Sequence, residues 1–191
     1  WLLRDQDGTD IGCFDTVALA AGTGIMGLLG AERWPLRANR GQIAYLPELT
    51  SGPNVPVTYG GYLSPRIGLP TGEAGHVLGA TYARRDEITS EDWETLRGVD
   101  DAHMLELMRE HLPGIKTSGP RGGRVSLRAT IRDYVPLAGR VDEGLYVLGG
   151  LGSRGFLTAP LLSELIADQL TVAPLPLEAD LVAALDPARF S

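Results

Sequence analysis

The sequence predicts a chain of mixed class, an α/β part joined to an α+β part built on an antiparallel sheet. Two apolar runs, Phe14–Ala21 and Leu145–Leu148, each lead into a glycine-rich loop. Such a run reads as a buried strand, and the first as one of a parallel sheet. From Gln42 the texture changes to short strand candidates at 42–46, 56–63, 76–82 and 124–131. Turn clusters separate them, Ser51-Gly52-Pro53-Asn54 and the stretch from Gly68 to Gly75. That rhythm belongs to an antiparallel sheet.

The elements follow in order. After the first apolar run, residues 25–31 begin a short helix. Thr89 and Asp92 stand at capping-box spacing and predict a helix running to about Leu112, where Pro113-Gly114 stops it. Gly98 interrupts it, and Trp93, Leu96, Leu105, Met108 and Leu112 form its core face. Residues 124–131 alternate: Val125, Leu127, Ala129 and Ile131 take one face, and Arg124, Ser126, Arg128 and Thr130 the other. Continued by one residue, the strand adds Arg132 to the polar face. Arginines sharing one face repel unless an anion lies between them, although an exposed strand with solvated arginines gives the same pattern. Past Gly149–Gly155 a helix begins near Thr158 or Ala159, with Pro160 in its first turn, where no backbone donor is needed. Leu161, Leu162, Leu165, Ile166 and Leu170 are its apolar stripe. A short helix around 178–185 closes the chain.

Composition narrows the function. At 191 residues, 43% hydrophobic and 21% charged, this is a soluble globular profile of one large or two small domains. No apolar run spans a bilayer, and Trp1–Asp5 lacks the basic-then-apolar order of a signal peptide. The missing initiator Met is expected of a chain whose natural N-terminus lies upstream. Cys13 is the only cysteine, which excludes an internal disulfide and points to a reducing cytoplasm. His103 and His111, beside Glu106 and Glu110, read as a solvated helix face, so no metal is expected. A net charge of −7 argues against strong unspecific nucleic-acid binding. Of the 17 basic residues only Lys116 is lysine. Arginine suits bidentate recognition of carboxylate and phosphate, and a GC-rich genome gives the same bias.

The pattern G-x-G-x-x-G occurs at Gly22–Gly27 and again at Gly150–Gly155. Each match follows a strand and precedes a helix, as in a pyrophosphate cradle. The full fingerprint needs a second strand ending in an acidic residue about twenty positions on, and neither match is followed by one. The competing reading is a close backbone approach to a ring system. Ser153 has no His and Asp partners nearby, so the hard chemistry falls to a bound cofactor.

Three segments together resemble the FAD-dependent amino-acid oxidase family of flavoproteins. They are Tyr62-Leu63-Ser64-Pro65-Arg66 with His76-Val77-Leu78-Gly79-Ala80-Thr81, then Arg128–Gly139, then Gly144–Gly155 with its helix. The finest resemblance is to the oxidase domain of the bifunctional enzymes that modify a tRNA wobble uridine. It rests on Arg128-Ala129-Thr130 with Arg132-Asp133, on Gly152-Ser153-Arg154-Gly155 with Ala159-Pro160-Leu161, and on Pro174–Leu181 with Pro187-Ala188-Arg189. Ala129 stands where the family usually has proline, and Ile131 is an extra residue.

The resemblance implies a partial FAD-binding Rossmann-like domain, residues 1–32 and 139–191, and an antiparallel-sheet substrate domain, residues 33–138. It implies FAD contacts from Gly22, Gly150, Leu151, Gly152, Ser153, Arg154, Gly155 and Phe156. It implies substrate contacts from Arg128, Tyr62, Arg132 and Arg154, with Arg154 either adding charge beside the flavin or reaching a substrate phosphate. The implied reaction is oxidative removal of a carboxymethyl group from a carboxymethylaminomethyl uridine of tRNA, the alternatives being a free glycine or sarcosine oxidase and a non-catalytic fragment. The family's first βαβ, which grips the ADP half of FAD, is expected upstream of residue 1.

Overall fold

The computed structural model describes residues 1–30, 33–84 and 93–190. They form two compact units, one of residues 1–38 with 128–191 and one of residues 39–127. The sequence places 128–138 with the middle segment; in the structure they pack in the first unit.

In chain order the elements are β1 (Leu2–Arg4), β2 (Asp10–Cys13), β3 (Val17–Leu19), α1 (Ile25–Leu29), β4 (Leu36–Leu46), β5 (Val57–Thr58), β6 (Tyr62–Leu63), β7 (Ile67–Gly68), β8 (Ala74–Gly79), α2 (Gly98–His111), β9 (Gly123–Ile131), β10 (Leu137–Asp142), β11 (Leu145–Gly149), α3 (Gly155–Thr171) and α4 (Ala179–Leu185).

The first unit is built on a three-stranded sheet in the order β10-β11-β3. β10 and β11 pair antiparallel, and β11 pairs with β3 in parallel, with Leu145 opposite Val17 and Val147 opposite Leu19. The two predicted buried strands are therefore parallel neighbours. Because side chains alternate along a strand, each face gathers its own core. Leu137 and Val147 join Ile25, Trp34, Leu36 and Ile131 in one cluster. Ala138 and Tyr146 join Leu162, Leu165 and Ile166 of α3 and Leu185 of α4 in another. Of the expected α3 stripe, Leu161 and Leu170 stay exposed.

α3 begins at Gly155, earlier than predicted, which puts Pro160 inside the helix rather than in its first turn. Its ring forfeits only the hydrogen bond to the Phe156 carbonyl, so the helix passes through it. The C-terminal Pro187-Ala188-Arg189 segment also acquires a structural role. Arg189 Nε donates to Asp133 Oδ2 at 3.0 Å, and its guanidinium lies over the Phe190 ring.

Burial alone works to raise the Asp133 pKa, but the hydrogen bonds from Arg189 and from the Val135 backbone, with the Arg189 charge, outweigh it and hold the carboxyl below its usual range. A carboxylate depressed in the folded state adds stability above its unfolded pKa of about 3.9 and loses it as pH falls through the folded value. Asp133→Asn should therefore lower the urea midpoint near neutral pH, and the gap should close in acid. A gap independent of pH would refute this linkage.

The second unit carries the antiparallel sheet, ordered β5-β6-β8-β4-β9 with β7 paired to β8. Met104, Leu105 and Met108 of α2 pack with Ala44, Leu46, Leu63 and Leu78. The predicted capping box at residues 89–92 lies outside the described residues. α2 starts at Gly98, so that glycine opens the helix instead of interrupting it. Leu96 is exposed and precedes the helix. β4 is longer than the predicted 42–46, because Arg40 and Gln42, which break an apolar pattern, are fully buried. None of the helices among the described residues is long and apolar enough to cross a membrane.

Candidate cofactor and substrate site

Both glycine motifs lie in the first unit, at the C-terminal ends of β3 and β11. Since those strands are parallel neighbours, the two loops leave the sheet at the same end. Each follows one route. Gly22 has φ +57 and opens a 3-10 turn, Gly22–Gly24, that runs into α1. Gly150 and Gly152 have φ +67 and +59, and the 3-10 turn Gly152–Arg154 runs into α3. Side chains other than glycine rarely adopt that conformation. The loops also approach each other, since a Cβ on Gly149 would stand 2.7 Å from Cδ1 of Ile25.

The second loop rests on the end of β9. Leu151 forms an isolated antiparallel bridge with Thr130. A Cβ on Gly152 would lie 3.4 Å from Thr130 Cγ2, and one on Gly150 would lie 3.4 Å from Ile131 Cβ. Thr130 is buried at 4% exposure, and its hydroxyl donates to the Arg37 carbonyl at 3.4 Å. Sequence reading placed Thr130 on the polar face and missed this supporting role, for which a buried threonine between two arginines gives no local signal. Arg128, two residues earlier, shares Thr130's side of the strand by alternation and is half-buried and engaged.

Arg132 does not join that face. β9 ends at Ile131, and the chain turns there, with Tyr134 at φ +59 donating its backbone N–H to the Ile131 carbonyl at 3.0 Å. Arg132, Ser153, Arg154 and Phe156 are exposed, Phe156 at 104%. Leu151 is half-buried against the α3 cluster. The structure thus brings Arg128, the 150–156 loop and, through the sheet, Gly22 into one unit, whereas Tyr62 belongs to the other. There Tyr62 sits on β6 opposite Gly79, half-buried and engaged. His103 and His111 are exposed on α2, and His111 stacks on Tyr59 at 5.6 Å. Burial pushes the Tyr59 phenol pKa up.

The N-terminus of α3 has no acidic residue in its first turn and no side-chain cap. Its positive dipole end favours a partly negative ligand group. Bare glycines precede it, and nothing lies within 4 Å of where a Gly22 Cβ would point. The first loop therefore has the room that a flat ring system needs.

A family model described as FAD dependent oxidoreductase matches residues 1–169. The chain belongs to this family. It is 38% identical, over its full length, to tRNA 5-methylaminomethyl-2-thiouridine biosynthesis bifunctional protein MnmC of Thiobacillus denitrificans and to the protein of the same name in Caulobacter sp. strain K31. It spans only 31% and 30% of those proteins. Among solved structures, iminodiacetate oxidase from Chelativorans sp. BNC1 superposes with TM-score 0.71 at 21% identity, over 92% of this chain and 47% of that one. Glycine oxidase from Bacillus cereus superposes with TM-score 0.67 at 20% identity, over 90% of this chain and 46% of that one. The family is FAD dependent, and these two likenesses carry the fold.

Proposed function

We propose that this chain supplies the flavin loops and the substrate clamp of an FAD-dependent oxidase that removes the carboxymethyl group from a carboxymethylaminomethyl wobble uridine of tRNA. The observation that carries this reading is the 38% identity, across the whole chain, to proteins named for tRNA 5-methylaminomethyl-2-thiouridine biosynthesis. The unit with both glycine loops serves the flavin and carries the substrate clamp Arg128, and the unit with the antiparallel sheet contributes Tyr62 to the substrate. The ADP half of FAD is gripped by a segment outside these residues, and the enzyme works in the cytoplasm.

FAD, when bound, accepts the two electrons of amine oxidation. Overall, the carboxymethyl arm leaves as glyoxylate, water supplies its new carbonyl oxygen, and the uridine keeps an aminomethyl group. Gly22 and Gly150–Phe156 hold the flavin. The backbone donors of the second loop, backed by the α3 dipole, favour negative charge on the ring. Arg128 holds the substrate carboxylate, and Tyr62, Arg132 and Arg154 make further substrate contacts.

Assayed as the intact oxidase, the protein should release glyoxylate from tRNA bearing the carboxymethylaminomethyl uridine and very little from free glycine. The reverse preference would replace the tRNA reading with a free amino-acid oxidase. Arg128→Lys should lower kcat/KM by about one to two orders of magnitude, the worth of a charged hydrogen bond of about 1.5–3 kcal/mol. Flavin content should hold, and near-normal kinetics would remove Arg128 from the clamp. Gly152→Val places a β-branched residue at φ +59, 3.4 Å from Thr130, a strain of about 1–3 kcal/mol. The flavin-to-protein absorbance ratio should fall several-fold, and an unchanged ratio would separate this loop from the cofactor.

A further inference from the structure

Between His111 and Arg132 the sequence carries Lys116, Arg121, Arg124, Arg128 and Arg132 and no aspartate or glutamate, in a chain whose net charge is −7. The second unit holds the first three cations. Their segment runs beside the continuation of β4. Thr50 donates its backbone N–H to the Lys116 carbonyl at 3.1 Å, and Tyr45 exchanges backbone bonds with Arg121 and Gly122 at 2.9 Å each. The cations therefore follow one another along one side of the sheet, where β9 is the terminal strand. All three side chains are exposed, and among the described residues none enters an ion pair or side-chain hydrogen bond. On the facing segment, Glu48 stands two residues before Thr50.

A charged edge strand resists unwanted pairing, but that purpose needs no cation at Lys116 or Arg121, which precede the strand. Like charges set along one edge without acidic partners repel, and a polyanion removes that cost. The loop between them, Thr117-Ser118-Gly119-Pro120, has small side chains that let a backbone come close.

We infer that Lys116, Arg121 and Arg124 form a docking edge for the phosphate backbone of the RNA substrate. This deepens the tRNA reading and rests on it. The contacts are sequence-independent: phosphates position the RNA, while the modified base is read elsewhere. They are also salt-dependent, because each neutralised phosphate releases counterions.

The test compares the intact oxidase with its Lys116→Gln/Arg121→Gln/Arg124→Gln variant, on modified tRNA and on the free carboxymethylaminomethyl nucleoside. The KM for tRNA should rise about tenfold at moderate salt, and the slope of log K against log salt should flatten by about 2–3, at 0.7–0.9 per phosphate lost. Nucleoside kinetics and the flavin spectrum should be unchanged. Fluorescence anisotropy with unmodified tRNA separates the two possible failures. A parent that binds RNA with a steep slope lost in the variant, yet releases no glyoxylate, keeps the docking edge and rejects the wobble-uridine reaction. A parent that releases glyoxylate, with the same KM and slope as the variant, overturns the docking edge, whether the edge is idle or holds a protein instead.

Discussion

Asp100→Ala should destabilise the protein by about 3–5 kcal/mol, the cost of leaving a buried charge without its partner. The charge is that of Arg40, whose side chain is 0% exposed. Its Nη1 donates to Asp100 Oδ2 at 2.6 Å, and its Nη2 donates to Gln42 Oε1 at 2.8 Å and to the Thr95 carbonyl. Gln42, also fully buried, donates from Nε2 to Asp101 Oδ1 at 2.7 Å and to the Arg97 carbonyl at 2.9 Å. Arg97 returns a backbone N–H to Gln42 Oε1 at 2.9 Å. Two side chains of β4 thus grip the first turn of α2, where Asp100 and Asp101 also favour the positive end of the helix. Removing Asp100 leaves the guanidinium dry and unpaired. Removing both charges, as Arg40→Met with Asp100→Ala, should recover most of the loss, because an apolar side chain of similar volume needs no partner. Urea unfolding of the parent and both variants measures this. A single variant within about 1 kcal/mol of the parent would show that water reaches Arg40 when its partner goes.

The same network shows where sequence reading ran out. Arg40 and Gln42 are polar residues inside a strand, and nothing local says that their partners stand on a helix some sixty positions away. From the sequence alone the strand therefore starts at 42. The helix itself was legible from its spacing and from Pro113-Gly114, but its start was not, because Gly98 looks like a breaker from within the sequence and is an opener in the fold. The strand at 145–149 was legible because four apolar residues lead straight into glycines. The pairing of β11 with β3 was not, since parallel neighbours leave no turn between them to read. In the candidate site, the glycine loop was visible as a motif and Arg128 as one of an alternating set. Its support by Thr130 was not visible, and neither was the end of β9 at Ile131 that takes Arg132 off the polar face. Both depend on where the chain turns in space.

Titrated with FAD, these 191 residues by themselves should bind it weakly. The ADP half of a dinucleotide is gripped at the first turn of a βαβ unit, with a second parallel strand ending in an acidic residue about twenty positions on. After α1 the chain enters β4, a strand of the antiparallel sheet, and after α3 it enters α4. Neither glycine loop is therefore backed by that second parallel strand. Several charged hydrogen bonds of about 1.5–3 kcal/mol each would be missing, a loss of at least about three orders of magnitude in affinity. The first unit shows the same want of partners on its surface. Phe156, Leu157 and Leu28 are 104%, 77% and 62% exposed, and β3 is the edge of its sheet. Unpaired edges and apolar patches favour aggregation, so light scattering should rise during the titration, and an added upstream segment of the intact oxidase should suppress it. Flavin fluorescence reads the binding. If FAD instead bound stoichiometrically and tightly without that segment, one of the loops Gly22–Gly27 and Gly150–Gly155 would have to hold the pyrophosphate. Replacing Gly22 and Gly150 in turn by valine would then show which, because the loop gripping the phosphates would lose FAD altogether while the other would only loosen it.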